Sequence, residues 1–292
     1  MTFQSGTPAP IRVANSLGGE PGPSGDVATA IKWKVRPENA HKLDTRNLWL
    51  SIAAIGADGA FASGFRIPAS NGPVRIVDLM EVERQAGIVF AHRCLGVAND
   101  SVFVLSRICL EVVSGSKWRR KAGLVGEVKV SVVEPTGLPR PTREASIQFT
   151  MAADRCLLAL GGATVSFLTP GLYSRLRRRP LSTQSDRDDV SSPEDVDPDA
   201  ASVDLTDRLV TDHNVDHVPG MAVAAAIERS IKAASDGGDV RMLSINFNQY
   251  VEYHSPVSFN TDSQGSSQLD GRVCQGGAVK ATFRGLLADR RR

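Results

Sequence analysis

The stretch TDHNVDHVPGMAVAAAIERS, from Thr211 to Ser230, decides the predicted fold. It places two histidines shortly before a Pro-Gly pair, and the long Ala-rich apolar run that follows is typical of a buried helix. A second stretch, VDLMEVERQAGIVFAHR from Val77 to Arg93, also predicts a buried helix, here with carboxylate, guanidinium and amide groups along it. Two such helices indicate one architecture used twice, with the polar chemistry kept by one copy.

Alternation between apolar and polar residues predicts antiparallel strands after each helix. The predicted strands of the first half are Phe103–Val113, Glu127–Val133, Ser146–Met151 and Leu157–Leu168. Those of the second half are Arg241–Glu252, Val257–Thr261 and one long run from Leu269 to Leu287. Helices that are apolar nearly all round suit a position inside a curved sheet. The absence of a βαβ alternation disfavours a Rossmann fold.

Composition divides the chain into four segments. We predict a partly disordered N-terminal extension at residues 1–36 and a first unit at residues 37–172. A charged flexible linker at residues 173–203 then leads to a second unit at residues 204–292. The linker assignment rests on the basic cluster Arg175–Arg179 and the acidic stretch Asp186–Asp199, which together offer no apolar face.

The composition also narrows the function classes. A net charge of +2 and the lack of a helix-turn-helix pattern give no reason to expect nucleic acid or an anionic membrane as a partner. No apolar run reaches the ~18–20 residues of a membrane span, and no secretory signal is present. The cysteines lack zinc-site spacing and are expected to be buried, reduced thiols of a cytoplasmic protein. They are Cys94, Cys109, Cys156 and Cys274.

The two helical stretches resemble the paired signatures of the A-factor biosynthesis hotdog proteins, the AfsA-type family. Asp216–Met221 matches the DHVPGM segment of that family's second half, and Ala40-His41-Lys42 resembles the start of its first strand. The first-half pattern ExxRQAGxxxAH is matched by Glu81, Arg84, Gln85, Ala86, Gly87, Ala91 and His92. The resemblance covers roughly residues 37–172 and 204–288. It implies an α+β tandem (double) hotdog, with an antiparallel curved sheet wrapped around two long central helices.

The resemblance also implies a reaction. Members of the family are acyltransferases of the 2-oxo-3-(phosphooxy)propyl 3-oxoalkanoate synthase type. They condense a β-ketoacyl group from acyl carrier protein with dihydroxyacetone phosphate, the first step of γ-butyrolactone or butenolide autoregulator biosynthesis in secondary metabolism. The implied partners are therefore the β-ketoacyl-acyl carrier protein and dihydroxyacetone phosphate. The chain is expected to be a monomer, as a pseudo-dimer of two units, or a homodimer, with no metal and no cofactor.

Acyl transfer needs a base, donors for the thioester oxyanion and a cationic seat for the phosphate. Glu81 and Gln85 share a helix face, and a buried carboxylate tends to have a raised pKa that suits acid/base work. Related hotdog dehydratases pair a histidine slightly further upstream of the Pro-Gly with a carboxylate of the neighbouring unit. This suggests a cross-half dyad of Glu81 with His213. The candidate catalytic residues are therefore Glu81, His213 and Gln85.

Candidate substrate-binding residues follow from charge and position. The guanidinium of Arg84 is the first choice for the phosphate, and the helix start after Pro219 offers free amides to an oxyanion. His92, eleven residues beyond Glu81, returns to nearly the same helix face. The full set is Arg84, His92, His217, Gly220 and Met221.

Structural roles are the alternatives for several of these residues. Gln85 is also suited to satisfying a strand carbonyl, His92 to capping the end of its helix, and His217 to fixing the Val-Pro-Gly turn. Asp212 and Asp216 are also suited to capping. The basic linker cluster suits either a solvated segment or a contact with an acidic carrier protein.

The second half departs from the family pattern, which leaves two other functions open. A gapless match puts Ala225 where the family has a helical carboxylate, and Glu228-Arg229 replaces its Arg-Gln pair. One alternative is a hotdog dehydratase or thioesterase on acyl thioesters, although no HFPxxPxMPG string is present. The other is a non-catalytic protein that binds a lactone or an acyl chain.

Overall fold

A computed structural model gives the fold of the chain. It describes residues 31–56, 59–69, 74–113, 123–133, 144–178, 203–207, 216–235, 237–253, 255–263 and 267–288. The α-helices within these ranges are α1 (Ile76–Cys94), α2 (Pro170–Arg178) and α3 (Gly220–Ala234). The strands are β1 (Ile31–Lys34), β2 (Leu50–Ile55), β3 (Phe61–Ile67), β4 (Val102–Val112), β5 (Leu124–Val132), β6 (Glu144–Ala153), β7 (Cys156–Leu168), β8 (Val240–Phe247), β9 (Ser258–Ser263), β10 (Gln268–Gln275) and β11 (Ala278–Leu287).

All eleven strands of the described residues form one antiparallel sheet. Its order is β1-β2-β3-β5-β6-β7-β4-β8-β11-β10-β9. The two halves meet where β4 pairs with β8, with Ile108 opposite Ile245 and Leu110 opposite Leu243. On either side of this seam, a helix is followed by four strands in the same spatial order. In each half the first of these strands, β4 or β8, lies at the seam. The fourth strand, β7 or β11, pairs with the first on the side away from the seam.

The helix α1 is buried almost entirely. Every residue from Ile76 to Ala91 except Arg84 is buried, which agrees with the apolar pattern of the sequence. The helix begins with a reciprocal cap, in which the Asp78 carboxylate accepts the Arg75 amide at 2.8 Å. Burial of this helix and of α3 against one face of the sheet removes a large apolar area from water, at about 25 cal/mol per Å².

The predicted helices and most predicted strands are present. The sequence places a helix over Val77–Arg93, and the structure extends it by one residue at each end. The long strand predicted from Leu269 to Leu287 is instead a hairpin, β10 and β11, because Gly276 and Gly277 adopt positive φ angles of 58° and 78°.

The structure describes the predicted extension from residue 31 onward, where Ile31–Lys34 form β1 and pair with β2. Two other expectations need correction. Residues 173–178 of the predicted flexible linker belong to α2. None of the four cysteines is fully buried, because Cys156 is exposed after the turn between β6 and β7, and the other three are partly exposed. No helix in the described ranges is long and apolar enough to cross a membrane.

Candidate active site

A cavity of about 720 Å³ lies between α1, the first-half strands and the start of α3. Its walls also include the segment that follows β8. Much of the lining is apolar, including Ile88, Phe103, Ile108, Phe149, Val165 and Phe247. Polar groups in the lining include His41, Glu83, Arg84, Tyr173, Asp216 and His217. A cavity with this balance suits an apolar chain that carries a polar reacting group.

Glu83 is the buried acid of this cavity. It is fully buried, and neither of its carboxyl oxygens has a hydrogen-bond partner among the described residues. Burial raises the pKa of Glu83 well above its ordinary value. An unpartnered buried carboxyl costs folding free energy, so a site that keeps one is a candidate for chemistry.

The predicted acid, Glu81, has a different environment. Its carboxylate contacts Lys42 Nζ at 3.0 Å and accepts bonds from the Arg84 guanidinium at 2.8 and 2.9 Å. Burial works to raise the pKa of Glu81, but the Arg84 and Lys42 charges outweigh it and lower the pKa to about 2. The raised pKa expected for Glu81 is therefore not found, and Glu81 is not among the described residues that line the cavity.

Gln85 connects α1 to the segment before β2. Its carbonyl accepts the Trp49 amide at 2.9 Å, and its amide donates to Asn47 O and to Glu81 Oε1, each at 2.9 Å. These bonds satisfy both ends of a fully buried side chain. The arrangement is the structural alternative foreseen for Gln85, and it holds Glu81 in place.

His92 lies near the end of α1 and pairs with His41. The two Nε2 atoms are 2.9 Å apart, and His92 Nδ1 is 2.9 Å from the Val97 carbonyl. Because a carbonyl only accepts, His92 donates from Nδ1, and His41 therefore donates to His92 Nε2. His41 lines the cavity, and His92 supports it from behind, with Phe103 against both rings.

His217 lies at the cavity with its ring orientation fixed. Its Nδ1 is 2.8 Å from Asp216 Oδ1, and its ring packs on Tyr250 at 4.5 Å between centroids. The Tyr173 hydroxyl, from α2, donates to the same Asp216 oxygen. A proton on Nδ1 toward the carboxylate leaves Nε2 as the proton acceptor of the neutral ring.

Arg177 fixes Asp216 from the other side. Its guanidinium contacts Asp216 Oδ2 at 2.9 Å and Glu252 at 2.7 and 2.9 Å. Burial works to raise the pKa of Asp216, but hydrogen bonds from Tyr173, His217 and Arg177 lower it overall. Asp216 therefore stays ionised at neutral pH. The Arg177 side chain is only 20% exposed, so this part of the predicted linker is not simply solvated.

The start of α3 contributes backbone donors. Gly220 and Met221 line the cavity, and Pro219 provides no side-chain cap. The first amides of a helix have no intrahelical acceptor, so they are free to bind a developing negative charge. Further along α3, Ala225 is buried, and Glu228 pairs with Lys232 at 2.7 Å. His213 lies outside the described residues.

The structure therefore groups the predicted site residues in two sets. Arg84, His217, Gly220 and Met221 line one cavity, whereas Glu81, Gln85 and His92 support it. Glu83 and Tyr173 also line the cavity and were not singled out from the sequence. No group of three or more His, Cys, Asp or Glu side chains in the described ranges is arranged to hold a metal ion.

Comparison with protein-family models gives no match, and no curated protein sequence matches the chain. By structure, it is similar to the 12:0-ACP thioesterase from Umbellularia californica, with a TM-score of 0.52, 13% identity, and coverage of 78% of this chain and 97% of that one. It is also similar to an acyl-ACP thioesterase from Bacteroides thetaiotaomicron, with a TM-score of 0.51, 14% identity, and coverage of 78% and 98%.

The chain has a hotdog-like fold. At 13–14% identity the similarity establishes the architecture and leaves the reaction to be argued from the site. The hotdog expectation of the sequence is confirmed at this level, whereas membership of the AfsA-type family is not shown.

Proposed function

We propose that the protein is an enzyme that acts on acyl thioesters, with the acyl chain held in the apolar cavity. The observation that supports this most directly is Glu83, a buried carboxyl without a described hydrogen-bond partner on the wall of that cavity. A raised pKa keeps such a group protonated when an ordinary carboxyl is ionised, so it donates a proton or a hydrogen bond near neutrality. The similar structures are named as acyl-ACP thioesterases, which favours the same substrate class.

The proposed mechanism divides the chemistry among three groups. His217, oriented by Asp216, takes a proton from the acyl acceptor through Nε2. The acceptor oxygen then attacks the thioester carbonyl, and the amides at the start of α3 stabilise the oxyanion. As the carbonyl re-forms, the carbon–sulfur bond breaks, and Glu83 donates its proton to the departing thiolate. His213 remains a further candidate base, and the earlier pairing of Glu81 with His213 is replaced in this mechanism by Glu83 with His217.

We further propose that the fold is a tandem hotdog, so that one chain supplies the two-unit site. The repeated helix and four strands on each side of the β4–β8 seam support this. The cavity supports it as well, because α1 of the first unit and the start of α3 of the second unit both line it. The tandem arrangement makes a monomer sufficient for activity.

The acyl acceptor distinguishes two versions of this function. Water gives a thioesterase, the version nearer to the similar structures. Dihydroxyacetone phosphate gives the acyltransferase, which the resemblance of Glu81–His92 and Asp216–Met221 to the AfsA-type signatures favours. Arg84 lines the cavity, and its guanidinium is the cationic group there that suits a phosphate by charge and planar geometry.

Product analysis tests both versions at once. Purified protein is incubated with a 3-oxoacyl thioester on acyl carrier protein, with and without dihydroxyacetone phosphate, and the products are identified by mass spectrometry. A phosphorylated 3-oxoacyl ester formed only with the acceptor supports the acyltransferase, and free 3-oxo acid at equal rates in both supports the thioesterase. Recovery of intact thioester across several chain lengths would contradict the enzymatic proposal and favour a binding protein.

A further inference from the structure

One face of the helix α2 contacts the mouth of the cavity. Tyr173 and Arg177, one turn apart, contact the Asp216 side of the cavity mouth. Arg175 and Arg178 are three residues apart and lie together on the opposite side of the helix, where both are exposed. Leu176 lies on the other side of Arg175 around the helix and is 47% exposed.

The exposed side of α2 is basic. The helix carries three arginines and no acidic residue. Arg177 is committed to Asp216 and Glu252, so the nearest acidic groups at the mouth are already neutralised. Arg175 and Arg178 therefore present positive charge outward, beside a half-exposed leucine. Two neighbouring arginines with an apolar side chain at one edge form a surface that complements an acidic helix with an apolar ridge.

We propose that this face of α2, formed by Arg175, Leu176 and Arg178, is the docking surface for an acidic carrier protein that delivers the acyl thioester. This inference rests on the proposed function. The same helix places Tyr173 in the cavity lining, so a carrier seated on α2 lies at the mouth of the site. A substrate tethered by a flexible arm requires such nearness, because the arm sets the distance that the thioester can reach.

The test compares a charge-reversed surface with a matched control. The double variant Arg175→Glu/Arg178→Glu changes the docking face. Arg66→Glu/Arg272→Glu changes the net charge equally at two exposed positions on β3 and β10. Each full-length protein is assayed with the same 3-oxoacyl group on acyl carrier protein, on coenzyme A and on pantetheine. Binding of fluorescently labelled acyl-acyl carrier protein is measured separately by anisotropy, at low and at high salt.

The α2 variant is expected to lose function with the carrier-linked substrate and to keep it with the pantetheine thioester. In the α2 variant, the KM for the carrier-linked substrate and the Kd for the carrier rise about tenfold or more at low salt, within the range of electrostatic steering. The difference shrinks as salt screens the charges. Activity with the pantetheine thioester stays at the wild-type level, and the control variant behaves like wild type throughout.

Several outcomes would overturn the docking proposal. One is unchanged carrier binding in the α2 variant. Another is equal loss of activity on all three substrates, which would place α2 in cavity structure instead. A loss confined to the coenzyme A substrate would identify the surface as a nucleotide phosphate site. If wild-type protein turns over no thioester, the proposed function fails, and the anisotropy measurement still decides whether the carrier binds to α2.

Discussion

Oε2 of Glu83 occupies the space in front of Gly161: a Cβ built on that glycine would lie 2.8 Å from the oxygen. The strand β7 can approach the buried acid this closely because position 161 has no side chain. The same imaginary Cβ would lie 3.1 Å from the Cys109 carbonyl, so the room is limited on two sides. The position of Glu83 on α1 thus depends on a residue of the strand β7, and this relationship yields the first prediction.

Gly161→Ala should displace the Glu83 carboxyl and lower kcat at least tenfold, because small misplacement of a reacting group is costly. Gly162→Ala is the matched control, since its Cβ would meet its nearest neighbour at an ordinary 3.4 Å. Steady-state kinetics on one acyl thioester, with circular dichroism to check folding, compares the two. Equal activity in both variants would show that the close approach has no catalytic consequence.

Ionisation of Glu81 should stabilise the folded protein, whereas ionisation of Glu83 should destabilise it. The pKa of Glu81 falls from 4.5 to about 2 on folding, so its charged form stabilises the fold. This stability is present above pH 4.5 and is lost as the pH falls toward 2. Glu81→Gln removes the carboxylate of the buried Lys42–Glu81 ion pair and should cost about 3–5 kcal/mol at pH 7. Urea denaturation at pH 7 and pH 3 measures both effects, and a loss below 1 kcal/mol would contradict the ion-pair role.

Glu83→Gln should stabilise the protein at neutral pH. The pKa of Glu83 is raised by burial, so the folded state holds a proton that the unfolded chain releases above the ordinary pKa. Stability is therefore lost as the pH rises from the ordinary value toward the folded pKa. The glutamine variant removes this loss, and its advantage over wild type in denaturation midpoint should grow with pH. A variant less stable than wild type at pH 8 would argue against the burial of an ionisable group at this position.

The orienting role of Asp216 has its own test. His217→Ala should lower kcat about 10²-fold or more, the usual contribution of a general base. Asp216→Asn should also lower kcat, because the His217 ring loses the carboxylate that fixes its orientation. Glu252→Gln is the control, since it removes another charge partner of Arg177 and leaves the His217–Asp216 hydrogen bond in place. Wild-type kcat in Asp216→Asn, or an equal loss of kcat in Glu252→Gln, would reduce the cluster to a structural role.

Cavity shape should set the acyl-chain preference. A Cβ at Gly87 would lie 3.2 Å from the ring of Phe149, which lines the cavity. Gly87→Ala should therefore lower kcat/KM for long acyl chains about tenfold more than for short ones, in line with the worth of one methylene in an apolar pocket. Gly171→Ala, where nothing lies within 4 Å of the added carbon, is the control. Competition between thioesters of different length measures the preference, and a uniform loss across lengths would contradict this role.

The sequence predicted the helices and most strands because their pattern is local. The apolar periodicity of α1 and α3 and the alternation in β5 and β6 each arise within a single element. The same method assigned the wrong buried acid a raised pKa. Periodicity shows which residues share a helix face, but it does not show which face meets a cavity and which meets Lys42. That distinction depends on contacts with residues from other elements.

The cavity mouth was harder to predict for a related reason. Arg177 lies in a segment whose composition indicates a solvated linker, yet it pairs with Asp216, 39 residues later, and with Glu252, 75 residues later. Neither partner is visible in a local pattern. The His217–Asp216 contact was closer to prediction, since the two residues are adjacent and the histidine had been singled out. Functional groups held in place by ion pairs between distant parts of the chain could therefore be identified only from the three-dimensional structure.

The most direct test of the central claim is the turnover of a 3-oxoacyl-acyl carrier protein thioester by wild type, Glu83→Gln and Glu81→Gln. Thiol release is followed at a temperature where all three proteins are folded. If Glu83 is the acid of the reaction, Glu83→Gln should lower kcat about 10²–10⁴-fold without loss of stability, and folded Glu81→Gln should retain much more activity. Wild-type turnover by Glu83→Gln would contradict the account.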